Sequence, residues 1–290
     1  MSISDKFCAF CSNLRMSGDT VSTVRSRYHS ITKRLNKDFR DIDSEVLNSL
    51  YVGSYGRGTA IHVSDIDMLF ILPWECFSKY DSYYGNGQSA LLQAIKESIE
   101  KTYWNTYVSG DGQVVKVSYS DGIVFEVVPC FEFSDGSFFY PDTHNGGSWK
   151  ITNPRPEINA INMLNNNTNK NLKRLCRMIR AWKDNCNVPM GGLLIDTFAY
   201  RFLKDWEYND KSFLYYDWMT RDFFKYMSEQ DDNQSYWLAV GSGQYIYPMG
   251  KFTAKAKSAY DNALKAIECE DKKYEYSANS YWREIYGTKF

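Results

Sequence analysis

The sequence is short of several things, and each shortage narrows what the protein can be. Only 3 histidines occur, His29, His62 and His144, too far apart for a multi-histidine zinc centre, and there is no His-Glu-x-x-His run. Metal chemistry is therefore expected to rest on oxygen ligands. The 7 cysteines are odd in number and scattered, and the close pair Cys8 and Cys11 has no second pair to complete a four-ligand site. Free or structural thiols in a reduced, cytoplasmic protein are expected. The longest apolar run, Met68 to Trp74, falls far short of the roughly 18 to 20 residues that span a bilayer. The opening MSISDKFCAFCSNL lacks a basic segment leading into an apolar one, so no signal peptide is expected. Charge of one sign is also missing: Lys+Arg 34 against Asp+Glu 35 leaves a net charge of -1. A long nucleic acid is not the expected partner, and any polyanion site must be a local patch.

What is present describes a folded chain. With 43% hydrophobic residues, 24% charged residues and 7 prolines, extended disorder is excluded. The 290 residues approach two domains at roughly 150 residues each, and a monomer is the default expectation. Residues 5 to 48 read as helical, with Val24, Tyr28, Ile31 and Leu35 on one face at steps of four, three and four. From Tyr51 to about Phe139, short β-rich runs (MLFILP, QVVKVSYS, GIVFEVVPCF) alternate with Gly and Asp turns around one helix, QSALLQAIKESIEKTYW, which indicates a mixed sheet. Ser134 to Glu157 reads as a long linking loop. From Asn169 onwards the pattern is helical, and Leu172, Leu175, Met178, Ile179 and Trp182 trace an apolar stripe. The expected division is a helical segment over 1–48, an α/β core over 49–157 and a helical domain over 158–290.

The stretch YVGSYGRGTAIHVSDIDMLFIL, Tyr51 to Leu72, carries the most chemistry. Gly53 and Ser54 open a glycine-rich turn, whose backbone can approach a phosphate while its N–H groups and the Ser54 hydroxyl donate to it. No Gly-Lys-Ser/Thr follows, so it is not a Walker loop, and the spacing is wrong for a Rossmann fingerprint. Asp65 and Asp67 then lead into an apolar strand, where residues two apart share a face while Ile66 points into the core. Two such carboxylates repel unless a cation lies between them, and hard divalent cations prefer oxygen ligands. Glu126 interrupts the apolar strand GIVFEVVPCF, where an unpaired charge is costly, and could supply a third carboxylate for a two-metal centre.

These residues resemble the polymerase-β-like nucleotidyltransferases. FEVVPCF followed by RLCRMIRAW is similar to 2'-5'-oligoadenylate synthetases and their bacterial CD-NTase relatives. The full pattern, including GTAIHVSDIDMLFILP, GGSWKITNP and the closing SYWREIYGTKF, most resembles SMODS-type bacterial CD-NTases. The resemblance implies an α+β, bilobed polymerase-β-like enzyme with a mixed-sheet catalytic lobe, a helical lobe and an N-terminal helix bracing both. It implies synthesis of a cyclic di- or trinucleotide second messenger from ribonucleoside triphosphates in anti-phage CBASS signalling, with pyrophosphate released and a separate effector protein responding. It assigns Asp65, Asp67 and Glu126 to two Mg²⁺ ions, for which Mn²⁺ is a substitute, and Gly53, Ser54, Arg180 and Lys183 to the triphosphate. Glu126 departs from the more frequent Asp, and Gly192 stands where relatives often have Ser or Tyr. Two other readings compete: a linear oligonucleotide synthetase or a transferase acting on RNA or a small acceptor, and an inactive nucleotide-binding scaffold.

Overall fold

The computed structural model describes residues 1–61 and 65–290; His62, Val63 and Ser64, within the quoted GTAIHVSDID stretch, lie outside the described residues. The chain divides into two compact units. One is built on a sheet, from the described residues of 16–56 and 62–155, and the other is helical, from residues 1–15, 57–61 and 156–290.

The expected N-terminal helical segment is two helices, α1 (Ile3–Asn13) and α2 (Gly18–Arg40), and they belong to different units. Each starts on a serine cap: Ser2 accepts from the Asp5 N–H, and Ser17 accepts from the Thr20 N–H. The break between them is the physical reason that 1–48 is not a unit of its own. α1 buries Phe7 and Phe10 in the helical core, whereas α2 buries Val24, Tyr28, Ile31 and Leu35 in the sheet core.

The sheet unit continues with β1 (Ser49–Tyr51), a single turn α3 (Gly53–Gly56), β2 (Asp65–Ile71), α4 (Trp74–Asp81) and α5 (Gly87–Glu100). Then come β3 (Tyr107–Asp111), β4 (Val114–Ser118), β5 (Val124–Glu132), β6 (Phe138–Asp142) and β7 (Ser148–Thr152). Among the described residues the main strand order is β1-β2-β5-β4-β3, with β6 pairing β5 and β7 pairing β6. Only the β2–β5 pairing is parallel among these contacts, so the sheet is mixed.

Alternation decides the faces of this sheet. Ile66, Met68 and Phe70 of β2, Phe125 and Val127 of β5, and Val115 and Val117 of β4 all enter the core shared with α2 and α5. Each such side chain contributes on the order of 1.5–3 kcal/mol when fully buried. The opposite face carries Asp65, Asp67 and Leu69 of β2, Glu126, Val128 and Cys130 of β5, and Lys116 of β4. Farther along, Leu69 and Cys130 join Val52 and Phe138 in a small second core, while Asp65 is exposed and Asp67, Glu126 and Lys116 are half-buried.

The expected loop over 134–157 is instead the hairpin β6–β7 followed by the start of α6 (Pro154–Asn167). Its burial does not alternate, which hides it from a period-two reading, and a turn at His144–Gly146 reverses the chain. Phe139 stacks on Trp149 with ring centroids 5.5 Å apart, pairing aromatic side chains across the hairpin.

The helical unit contains α6, α7 (Asn171–Asn185), α8 (Gly192–Asp205), α9 (Tyr216–Ser228), a two-strand ribbon β8 (Trp237–Leu238) and β9 (Tyr245–Ile246), α10 (Thr253–Asp271) and α11 (Glu275–Tyr286). Phe7 of α1 lies edge-on to Trp282 at 5.3 Å, and Phe10 lies 4.7 Å from Tyr286. Aromatic packing of this kind ties α1 to α11. All 7 cysteines are free. Among the described residues no helix is long and apolar enough to cross a membrane.

Candidate active site

The site begins with strand register. β2 and β5 run parallel with Asp67 opposite Glu126, and β4 runs antiparallel to β5 with Lys116 opposite Glu126. Three adjacent strands therefore present Asp67, Glu126 and Lys116 in one row, with Asp65 two residues before Asp67 on the same face. Ile66, fully buried on the other face, anchors the strand between the two aspartates.

The glycine-rich turn is fastened to the same place. The Val52 N–H donates to the Asp67 carbonyl at 2.9 Å, and the Gly56 N–H closes the turn on the Val52 carbonyl at 2.8 Å. Gly53 has φ +60, and a Cβ added there would come within 1.8 Å of Asp67 Oδ2. Only glycine both adopts this backbone freely and leaves the carboxylate its room. Gly53 is thereby held next to the Asp67 side chain.

Lys116 was absent from the sequence-derived site. Its Nζ lies 2.6 Å from Asp111 and 3.4 Å from Glu126 Oε1. The hydrogen bond that Lys116 donates to Asp111, and then the charge of Glu126, push the ammonium pKa upward. The signal that could have found it is the one that found Glu126: a charge alternating with valines in QVVKVSYS.

The donors Asp65, Asp67 and Glu126 are all carboxylates, which suits Mg²⁺ or Mn²⁺ rather than a soft metal. Among the described residues, no three His, Cys, Asp or Glu side chains are gathered into a metal-holding group. The three carboxylates share a face without closing on one point, and Glu126 is turned to Lys116. The residues fit a divalent cation that brings further oxygen ligands from substrate phosphate and water, as Mg²⁺ sites usually do.

The structure places Arg180 in different surroundings from those expected. It is 7% exposed and bonded to the fully buried Asp196, Nη1 to Oδ1 at 2.6 Å and Nη2 to Oδ2 at 3.0 Å. It also donates to the Cys176 and Gly192 carbonyls at 3.2 and 3.1 Å. Its guanidinium is bonded to the framework through Asp196 and two backbone carbonyls. Gly192 fits this arrangement, because a Cβ there would stand 3.2 Å from Arg180 Nη2. Lys183 is partly exposed, with its Nζ 3.6 Å from Asp184.

Asp196 also takes Arg57 Nε at 2.8 Å and the Thr59 hydroxyl at 2.9 Å. Arg57 reaches Glu157 at 3.4 Å, and Glu157 accepts from the Ser242 hydroxyl at 2.8 Å. Burial alone would raise the Asp196 carboxyl, but Arg180 and Arg57 overcome it and hold the pKa at about 2. Through this cluster the segment 57–61, which lies in sequence between Ser54 and Asp65, is built into the helical unit. Sequence reading missed Asp196, although a carboxylate inside the apolar run GGLLIDTFAY carries the same signal as Glu126.

Comparison with known proteins now adds a family. A model of the Second Messenger Oligonucleotide or Dinucleotide Synthetase domain, SMODS, matches residues 1–165, more than half of the chain. The chain belongs to the SMODS family. A probable cyclic nucleotide synthase of Bacillus cereus strain VD146 is 24% identical over 178 residues, 58% of this chain and 51% of that protein. The chain thus spans about half the length of the curated relative it matches. Among solved structures, CdnC of E. coli MS115-1 with ATP is similar at a TM-score of 0.60 and 17% identity, over 94% of this chain and 92% of that one. The Bradyrhizobium diazoefficiens CD-NTase CdnG with GTP reaches a TM-score of 0.69 at 10% identity, over 97% and 94% of the two chains. At such identities the likeness is one of fold, and the SMODS chain shares the α+β, polymerase-β-like architecture of these CD-NTases. The SMODS match includes Gly53, Ser54, Asp65, Asp67, Lys116 and Glu126, whereas Arg180, Lys183 and Asp196 lie beyond it.

Proposed function

We propose that this SMODS protein is a nucleotidyltransferase that joins ribonucleoside triphosphates into a cyclic di- or trinucleotide messenger, releasing pyrophosphate at each step. The observation that carries the reading is the register of β2 on β5, which sets Asp67 opposite Glu126 on the face that also bears Asp65, with Gly53 packed on the Asp67 carboxylate. Support comes from the named activity of the Bacillus cereus relative and from the ATP and GTP bound in CdnC and CdnG.

In this mechanism Asp65, Asp67 and Glu126 would hold Mg²⁺, and Ser54 with the Gly53 backbone would grip the terminal phosphates of the nucleotide. Bound there, divalent ions neutralise triphosphate charge and lower the pKa of the attacking ribose hydroxyl. The protein's own task is positioning: the turn at Gly53 fixes the triphosphate beside the carboxylates, so that the hydroxyl of a second nucleotide attacks the α-phosphate in line with the departing pyrophosphate. Lys116, with its Nζ 3.4 Å from Glu126 Oε1, balances the charge of that carboxylate. Repetition of the transfer closes the ring, and the product acts on a separate effector protein in the cytoplasm, in an anti-phage CBASS role.

The test is pyrophosphate release from mixed ribonucleoside triphosphates with Mg²⁺, comparing the parent with Asp65→Ala, Asp67→Ala and Glu126→Gln. Each variant is expected to lose several orders of magnitude in rate while unfolding at a temperature close to the parent's. Parent-like turnover in any aspartate variant would remove the proposed assignment.

A further inference from the structure

Two stretches outside the active-site row meet at one cavity. On α7, Lys173, Arg174 and Arg177 follow at i, i+1 and i+4 and neighbour one another on the helix surface, and Lys170, the left-handed residue that caps α7, lines the same cavity. Arg15 lies just past α1, seven residues after Cys8, and these two faces border one cavity of about 410 Å³ within the helical unit. Five of the residues lining it are cationic and none is Asp or Glu. In a protein with a net charge of -1, this is a strong local departure.

The cations satisfy their geometry with neutral partners. Lys173 Nζ donates to Asn162 Oδ1 at 2.6 Å, and Arg177 donates to the Gly58 carbonyl at 2.8 Å. Arg174 donates to the Asn169 carbonyl at 2.9 Å and lies over the Phe213 ring at 4.9 Å. Lys170 donates to Asn166. These bonds orient the side chains, and none of them goes to a carboxylate. Burial, and then the neighbouring Arg177, pull the Lys173 ammonium pKa downward.

We propose that this cavity binds the oligophosphate chain of a small anion, either inorganic or carried by a nucleotide, through Arg15, Lys170, Lys173, Arg174 and Arg177. Its volume lies within the roughly 300–1,000 Å³ of small-molecule sites. Five cationic side chains in the lining favour an anion over an apolar ligand. Seven residues of α7 extend about 10 Å along the axis, which suits an elongated polyanion better than a single carboxylate. Guanidinium groups match phosphate oxygens in paired geometry, and Lys173 adds a point charge.

The test separates this site from the proposed transferase chemistry by removing both metal and turnover. Asp65→Ala/Asp67→Ala protein in chelator is titrated calorimetrically with inorganic tripolyphosphate and, separately, with ATP. Saturable one-to-one binding is expected, weakened at least tenfold by Lys173→Met and by Arg15→Glu/Lys170→Glu but not by Lys265→Glu on α10. Arg15 and Lys170 are exposed, so that pair of changes tests the site even where Lys173→Met disturbs folding. Equal affinity for the two ligands would mean that the phosphate chain alone is read, and tighter ATP binding would mean that the nucleoside adds to it. No saturable binding, or binding unchanged in the Arg15→Glu/Lys170→Glu protein, would overturn the proposal.

Discussion

Gly53→Ala puts the active-site geometry under the most direct strain. The backbone there has φ +60, where an L residue costs about 1–2 kcal/mol. The added Cβ would stand 1.8 Å from Asp67 Oδ2 and 2.7 Å from its Cγ, far inside ordinary contact. Relief requires the carboxylate or the turn to move by at least about 1 Å, and displacement of that size in a reacting arrangement costs on the order of 100-fold in rate. That corresponds to about 2.7 kcal/mol of transition-state stabilisation. The assay is pyrophosphate release at saturating nucleotide and Mg²⁺, with thermal unfolding followed in parallel. We expect a rate loss of about 100-fold or more with a melting shift of only a few degrees. Gly58→Ala is the control for strain, because it shares a positive φ of 67 but meets only the flexible tip of Lys173 at 2.9 Å. A parent-like rate in folded Gly53→Ala protein would refute the reasoning, since the Asp67 carboxylate would then tolerate displacement.

Three further outcomes follow from other parts of the structure. Asp196→Asn leaves Arg180 buried without its counter-charge and Arg57 with only Glu157 at 3.4 Å, so chemical denaturation should show a loss of about 3–5 kcal/mol. The parent's Asp196 carboxyl, lowered to about 2 in the fold, contributes stability that is complete above the unfolded pKa near 4 and lost as pH falls toward 2, which an acid melting series would reveal. Asp217 has the opposite sign: burial raises it to about 6, so stability falls as pH rises from about 4 to 6. Asp217→Asn should therefore stabilise the protein at pH 8, by on the order of 1–3 kcal/mol, with little gain at pH 4. Lys116→Met removes the cation facing Glu126 and should lower the Mg²⁺ concentration that gives half-maximal rate; an unchanged or higher requirement would deny Lys116 its part in charge balance.

Local periodicity made much of the scaffold readable. The stripe Val24, Tyr28, Ile31 and Leu35 is buried on α2, and Leu172, Leu175, Ile179 and Trp182 are buried on α7, because 3.6-residue repetition survives into the fold. The alternation of β2 likewise separates Ile66 from Asp65 and Asp67. Long-range register was not readable: nothing local says that Asp67 lies opposite Glu126 or that Lys116 lies opposite it on the other side. The hairpin over 138–152 was hidden because both of its faces carry partly buried aromatic and polar residues. Arg180 shows a related limit: a cation beside an apolar stripe looks the same whether it meets solvent, phosphate or a buried Asp196.

Cyclic product formation can be read out in a single incubation. Purified protein is mixed with Mg²⁺ and all four ribonucleoside triphosphates, each labelled in turn on the α-phosphate, then treated with phosphatase, and any resistant product is identified by mass. A phosphatase-resistant cyclic di- or trinucleotide is expected from the parent and not from Asp65→Ala/Asp67→Ala protein. Label converted wholly to free phosphate, or an equal resistant product from the variant, would contradict that expectation.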